Sequence, residues 1–219
     1  MDAAYDFDHM DTPSDRLPAD LEELLPPGLH AHCELRRLGR GARLFDAGRA
    51  PCHMHFVSSG EVLLQRTGED GEVVVLQRAR HGFVGEASLQ AARYHCDAVV
   101  AADADVTRVP RQRLLDALRT DPAFAMRWIG MLNQEVRRLR QQCERLSLHT
   151  VEARLLHLVR TEGGASGVPL AAGLKTLARE IGVTHEALYR CVASLEKRRM
   201  LVRDDGRLRL HVAPTTTAH

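Results

Sequence analysis

Hydrophobic residues in the first half of the chain occur in short, strand-like runs separated by glycines. Between residues 43 and 110 the runs are RLFDAG, HFVSSGEVLLQR, TGEDGEVVVLQR, GFVGEASL and DAVVAADADVTRVP. Val62 and Leu64 on one side of Asp70-Gly71, and Val73 and Val75 on the other, alternate with other residues, which predicts a hairpin. Many short strands at this spacing predict a β-barrel or β-roll.

Helical periodicity begins at about residue 111, and Asp121-Pro122 predicts the start of a helix that runs from about 123 toward 147. Its hydrophobic residues recur at steps of three and four, which is the spacing of a coiled-coil seam. The seam residues are Trp128, Leu132, Val136, Leu139, Cys143 and Leu146. The pattern therefore predicts a homodimer, and the alternative is a stripe that packs on its own domain.

The segment LKTLAREIGVTHEALYRCVASL, residues 174–195, has the pattern of two helices joined by a tight turn. A first helix is predicted to end near Ile181, Gly182 suits the turn, and Thr184 is a good N-cap for a second helix. The predicted buried face consists of Leu177, Ile181, Val183, Leu188, Cys191 and Leu195. The residues after it, MLVRDDGRLRLHV, predict the two-stranded hairpin of a wing.

This arrangement exposes a set of polar side chains at the start of the second helix, where a helix-turn-helix protein reads DNA bases. The exposed residues are Thr184, His185, Glu186, Tyr189 and Arg190. Glu186 can accept a hydrogen bond from a cytosine amino group, and Arg190 can bind guanine O6 and N7 together. Lys175 and Arg179 are expected to contact phosphates. The alternative for Glu186 and Arg190 is a salt bridge between residues four apart on a solvated helix.

Charge distribution agrees with a nucleic-acid partner for the second half only. The net charge is +1, but acidic residues gather in the first 23 positions and arginines and lysines gather after residue 136. The chain is 219 residues long and 44% hydrophobic, which favours two compact units. It has neither a membrane-length hydrophobic run nor a recognisable signal peptide, and its five cysteines form no CxxC pair. We therefore expect a cytoplasmic protein with reduced thiols and no membrane partner.

The order of these elements resembles the family of the cyclic-AMP receptor protein and Fnr over about residues 30 to 212. The matching stretches are FDAG, FVSSGEV, FVGEASL and VTHEALYR. The resemblance implies an α+β fold: an N-terminal cyclic-nucleotide-binding-type β-roll, a long dimerisation helix and a C-terminal winged helix-turn-helix. The expected divisions are an N-terminal arm (1–29), an effector-sensing roll (30–120), the dimerisation helix (121–149) and the DNA-binding domain (150–219). It also implies a non-enzymatic regulator that binds a near-palindromic double-stranded operator as a homodimer and contacts RNA polymerase.

The same resemblance assigns candidate effector residues in the roll. Glu86 matches the glutamate that holds the cyclic-nucleotide ribose, and Glu186 and Arg190 match the family's base-reading pair. His95 and Cys96 stand where the family has its phosphate-binding arginine and serine, and Arg93 lies off register. Because an imidazole and a thiol are poor substitutes for a guanidinium, we do not expect cyclic AMP to be the effector.

Two further interpretations concern histidines and cysteines. His95 and Cys96, together with Cys52, His53 and His55, are candidates for binding haem or metal, or for a redox-sensitive thiol; the alternative is that they only pack or face solvent. A cupin-type metalloenzyme is the competing function. The residues that imitate the first cupin motif are Gly48, His53, His55, Glu61 and Gly68, although the spacing departs from that motif and no second motif follows.

Overall fold

The computed structural model describes residues 16–164 and 166–211, and its helices and strands follow the predicted order. The helices are α1 (Ala19–Leu24), α2 (Pro27–His30), α3 (Arg111–Thr120), α4 (Pro122–Ser147), α5 (Val151–Glu162), α6 (Gly173–Glu180) and α7 (His185–Lys197). The strands are β1 (Glu34–Leu38), β2 (Arg43–Phe45), β3 (His53–Thr67), β4 (Val73–Ala79), β5 (Gly82–Val84), β6 (Asp97–Pro110), β7 (Val168–Pro169), β8 (Leu201–Asp204) and β9 (Arg207–Leu210). None of the helices in these described ranges is long and apolar enough to cross a membrane.

The first domain is an antiparallel roll built around two long strands. Strands β1, β6, β3 and β4 are neighbours in that order, β2 also pairs with β6, and β5 pairs with β3. The predicted hairpin is confirmed, because β3 and β4 pair and the chain reverses between them. Gly60 adopts a φ of +80° within β3, where a Cβ atom would lie 2.0 Å from the Asp103 carbonyl oxygen. Only glycine fits there, and the register of β3 against β6 shifts on both sides of this position.

The segment before the roll is more ordered than the sequence predicted. Residues 1–15 of the expected arm lie outside the described residues, but Leu21, Leu25 and Leu29 are fully buried in the core of the roll. Helix α1 ends before the two prolines, and Pro26 is the N-cap of the short helix α2, which begins at Pro27. Residues 19–29 therefore pack as part of the roll rather than as a separate N-terminal arm, since these three leucines remove hydrophobic surface from water.

The second domain has its own core and is joined to the first by α4. Hydrophobic side chains from α5, α6, α7 and the three-stranded sheet β7-β9-β8 form this core. Strands β8 and β9 pair across a turn in which Asp205 and Gly206 both have positive φ, as a tight hairpin requires. The predicted wing is thus present, apart from Val212, which lies outside the described residues.

Candidate functional sites

The helix-turn-helix forms through interactions within a few residues of its turn. Helix α6 ends at Glu180, Gly182 adopts a φ of +65°, and the Thr184 hydroxyl accepts a hydrogen bond of 3.2 Å from the Ala187 amide. The predicted end, turn and N-cap are therefore confirmed. Of the predicted inward face, Cys191 is only half-buried, and the neighbouring Val192 is the residue that packs fully into the core.

Arg154 on α5 holds this turn in place from outside the motif. Its Nη1 donates to the carbonyl oxygens of Ile181 at 3.1 Å and Gly182 at 3.0 Å, and its Nε donates to the Leu148 carbonyl at 2.7 Å. One guanidinium thus joins the turn before α7 to the segment that follows α4. Because a planar guanidinium fixes several acceptors at once, Arg154 restricts the direction in which α7 projects from the domain.

The start of α7 presents the side chains expected for base reading. Thr184, His185, Glu186, Tyr189 and Arg190 are all exposed. The alternative of an i,i+4 salt bridge is not seen, because the Glu186 carboxylate lies 3.0 Å from His185 Nδ1 and no ion pair with Arg190 occurs within the described chain. A hydrogen bond from its own backbone amide lowers the pKa of Glu186, so this carboxylate is ionised at neutral pH.

Unpaired positive charges surround this helix. Lys175, Arg179 and Arg190 are exposed, and none has a carboxylate partner among the described residues. In the wing, by contrast, Arg203 binds Glu196 at 2.7 Å and Arg209 binds Asp204 at 2.7 Å. These three free cations lie on the helix-turn-helix itself, which is where phosphates must approach if α7 enters a DNA groove.

Helix α4 carries two hydrophobic stripes rather than the single predicted one. Phe124 and Trp128 are buried in the roll, where Trp128 is 4% exposed and makes edge contacts with Phe83. Trp128 was therefore wrongly assigned to the dimer seam, because its ring is already covered by its own domain. Leu132 is partly buried against the same core and marks the border between the two stripes.

The second stripe of α4 is uncovered. Ile129, Val136, Leu139 and Leu146 are 46%, 45%, 40% and 40% exposed, and the Cys143 side chain lies among them. These residues repeat at heptad spacing on one side of the helix, about a quarter turn from the roll-facing stripe. An apolar row of this length on a helix otherwise rich in arginine and glutamine is typical of a surface that a partner covers.

A cavity of about 570 Å³ lies between the roll, α1 and α4. Its polar lining includes Gln77, Arg78, Glu86, Gln134 and Arg138, and Phe56 and Phe83 supply aromatic surface. Glu86 Oε2 and Arg78 Nη2 are buried and have no hydrogen-bond partner in the described structure. This cavity has the size and the mixed lining of a small-molecule site, with one unpaired acceptor and one unpaired donor.

Only Glu86, among the four predicted effector residues, lines this cavity. Arg93 donates to the Gly48 carbonyl at 2.7 Å, and His95 Nδ1 lies 3.0 Å from the Ser88 hydroxyl. Cys96 is buried in the hydrophobic core, and burial raises the pKa of its thiol to about 11. The grouping of Arg93, His95 and Cys96 with Glu86 was therefore wrong for this cavity, because their side chains are directed to other parts of the roll.

Arg78 and Arg138 are the cavity residues that sequence reasoning missed. Arg78 ends the apolar run VVVLQ of β4, and Arg138 lies among several similar arginines on α4. An arginine at the end of a hydrophobic run is the signal that would have drawn attention to Arg78. Nothing in the local pattern places Arg138 at a cavity, since its position there depends on how α4 lies on the roll.

Burial raises the pKa of Glu86 from 4.5 to about 7, with a further contribution from the charge of Glu135. The folded protein then holds the proton more tightly than the unfolded chain, so its stability should fall as pH rises from about 4.5 to about 7. We expect Glu86→Gln to raise the free energy of unfolding at pH 8 by about 3 kcal/mol and to have no effect below pH 4.5. Urea denaturation at both pH values measures this. Glu69→Gln, at an exposed position in the β3–β4 turn, is the control, and a benefit independent of pH would contradict the prediction.

The metal-site interpretations find no support in the arrangement of the side chains. Arg108 Nη2 lies 3.1 Å from His53 Nδ1, and a cation at this ring nitrogen opposes the binding of a metal ion there. Glu61, the carboxylate that a cupin site would need, is held instead by Arg78 at 2.8 Å and Arg80 at 3.0 Å. Within the described residues no group of three or more histidine, cysteine or acidic side chains is placed to hold a metal ion.

Comparisons with known proteins agree with this architecture. Residues 35–121 match the family model of the cyclic nucleotide-binding domain. Among solved structures, FixK2 from Bradyrhizobium japonicum is similar with a TM-score of 0.70 and 18% identity, over 82% of this chain and 93% of that one. A CRP-family transcriptional regulator from Thermus thermophilus gives 0.65 and 16%, over 81% and 92%.

The c-di-GMP-responsive global regulator CLP of Xanthomonas campestris is similar over 90% of this chain and its full length, with a TM-score of 0.65 and 21% identity. A search of curated proteins gives no significant match. The chain thus contains a cyclic nucleotide-binding-type domain and has the overall fold of the Crp/Fnr regulators. The resemblance found in the sequence is confirmed at the level of the fold.

Proposed function

We propose that the protein is a cytoplasmic transcription regulator that binds double-stranded DNA sequence-specifically as a homodimer. The observation that carries this proposal is the start of α7, where five exposed polar side chains lie beside cations that have no partner among the described residues. Glu186 and Arg190 are the side chains suited to base edges, and Lys175 and Arg179 are suited to phosphates. RNA polymerase is the further protein partner we expect at a promoter.

The uncovered stripe on α4 supports the homodimer. Two copies of this helix would bury Val136, Leu139, Cys143 and Leu146 against each other in a parallel coiled coil. A two-fold axis along α4 would also present two copies of α7 to one face of DNA, which is the arrangement that a near-palindromic operator requires.

The cavity between the roll and α4 is the effector site that we propose. Its unpaired groups fit a ligand that donates to Glu86 and accepts from Arg78. The positions that hold the cyclic phosphate in the family offer no free cation here, because Arg93 is bound to the Gly48 carbonyl and Cys96 is buried in the core. We therefore do not expect cyclic AMP to bind in the family's manner. CLP is described as c-di-GMP-responsive, so this fold accommodates effectors other than cyclic AMP.

Selection of bound sequences from random double-stranded DNA tests the proposed function. We expect the full-length protein to enrich a near-palindromic motif whose half-sites lie about 34 Å apart, one turn of DNA. Binding at fixed salt should be measured beside a scrambled sequence, because cationic proteins bind any DNA weakly. A selection that enriches no motif, or equal affinity for motif and scrambled DNA, would overturn the proposal.

A further inference from the structure

A buried network of charged side chains connects the two domains. It consists of three arginines and three glutamates: Glu61, Arg78, Arg80, Arg145, Glu162 and Glu180. The first three belong to the roll, Arg145 lies near the end of α4, and the two remaining glutamates lie on α5 and α6. The formal charges balance, as is expected where ions are withdrawn from water.

Arg78 and Glu180 form the direct link between the roll and the helix-turn-helix. Arg78 Nη1 donates to Glu180 Oε2 at 2.9 Å, although the two residues are 102 positions apart in the chain. Their side chains are 0% and 5% exposed, and α6 packs directly against β4 around them. Arg145 Nη1 lies 3.6 Å from the other Glu180 oxygen, so the carboxylate is held from two sides.

The energetics of this pair favour a role in orientation rather than in simple stability. Withdrawing both charges from water is costly, and the cost is offset only while the two partners face each other. If α6 moves away from β4, Glu180 and Arg78 must each find new partners or become hydrated. The pair therefore disfavours intermediate positions of the DNA-binding domain relative to the roll.

Arg78 is also a wall residue of the proposed effector cavity. Its Nε is bound to Glu61 at 2.8 Å and its Nη1 to Glu180, whereas its Nη2 is buried without a partner in the described structure. A single guanidinium thus touches the cavity, the sheet of the roll and the first helix of the DNA-reading motif. A ligand in the cavity would therefore contact the same guanidinium that links the two domains.

We propose that the Arg78–Glu180 pair is a latch that fixes the DNA-binding domain against the sensor roll. A role of the latch in DNA binding rests on the proposed function. The holding of the two domains together by this pair does not. Hydrogen exchange of the protein without DNA measures the latch directly, because opening of the interface exposes β4 and α6 to solvent.

The test compares two single substitutions, each of which removes the charge of one partner of the latch. Glu180→Gln keeps the shape of the side chain and removes its charge, and it should speed exchange of amides in β4 and α6 by about ten- to a hundred-fold. Arg78→Gln should have the same effect, since Glu61 keeps its second partner Arg80. Because the Arg78–Glu180 contact is lost in either variant, the double variant should open the interface by less than the sum of the two single effects.

Glu196→Gln is the matched control, because its pair with Arg203 lies entirely within the second domain. We expect it to leave exchange in β4 and α6 unchanged. Unchanged exchange in Glu180→Gln, or fully additive effects of the two latch substitutions, would overturn the latch. A failure to bind a specific DNA sequence would count against the proposed function and would not alter these exchange rates.

Discussion

Replacing Val136 and Leu139 together with glutamate is expected to give a folded monomer that has lost most of its affinity for operator DNA. Both residues are at least 40% exposed and lie outside the core of the roll, so the substitutions should not unfold the chain. In a coiled coil the four carboxylates of two such helices would face one another across a hydrophobic seam. Charged groups buried without partners cost several kcal/mol, which exceeds what the remaining seam can offset.

The loss of DNA binding follows from the loss of the second recognition helix. A dimer engages two half-sites at once, and linking two sites raises overall affinity by about 10²- to 10⁴-fold over one site. We therefore expect operator affinity to fall at least about a hundred-fold. Analytical ultracentrifugation gives the mass, and fluorescence anisotropy gives the affinity.

A control on another face of α4 separates this effect from a change in net charge. Arg137→Gln with Gln141→Glu also lowers the charge by two and alters only exposed positions away from the uncovered stripe. That variant should remain dimeric. If Val136→Glu with Leu139→Glu still sediments as a dimer with unchanged affinity, the stripe on α4 is not the dimer interface.

Replacing Arg190 with alanine is expected to reduce specific DNA binding about ten- to a hundred-fold and to leave nonspecific binding nearly unchanged. A bidentate contact of arginine with guanine contributes about 1 to 3 kcal/mol of discrimination against the wrong base. Arg190 is free to make this contact, because it is exposed and has no ion-pair partner in the part of the chain that the structure describes. Its removal should therefore relax the motif at one position of each half-site.

Arg179→Ala is the matched comparison, because it removes an equal charge from the neighbouring helix α6. A phosphate contact carries no sequence information, so this variant should weaken binding to all sequences alike and reduce the salt dependence. Selection from random DNA with both variants, followed by titration at fixed salt, distinguishes the two roles. If Arg190→Ala returns the wild-type motif with the wild-type preference, Arg190 does not read bases and the argument for Glu186 weakens with it.

The helix-turn-helix is the part of the protein that the sequence determined most completely. Gly182 and Thr184 act through a positive φ and an N-cap hydrogen bond to Ala187, three residues away. Such interactions are local, so the pattern of residues specifies them without knowledge of the rest of the fold. The β3–β4 hairpin and the wing are likewise set by turn residues next to the strands that they join.

The division of α4 into two stripes depended on the tertiary structure. Trp128 and Ile129 are neighbours in sequence, and both fit a repeat of three and four. Only the position of the roll decides that Trp128 is covered and Ile129 is exposed. In a helix with 3.6 residues per turn, neighbouring residues point about a quarter turn away from each other. The sequence therefore predicts that hydrophobic stripes exist but not what covers each one.

The cavity and the latch depended on tertiary structure entirely. Glu86 was found through a resemblance, but Arg93, His95 and Cys96 point elsewhere because the loop before β6 turns them toward other parts of the roll. Arg78 and Glu180 meet across 102 residues, and the sequence around either residue does not indicate the other as its partner. Local chemistry therefore determined the elements and the exposed polar residues at the start of α7, whereas long-range packing decided which charged groups are withdrawn from water and meet between the domains.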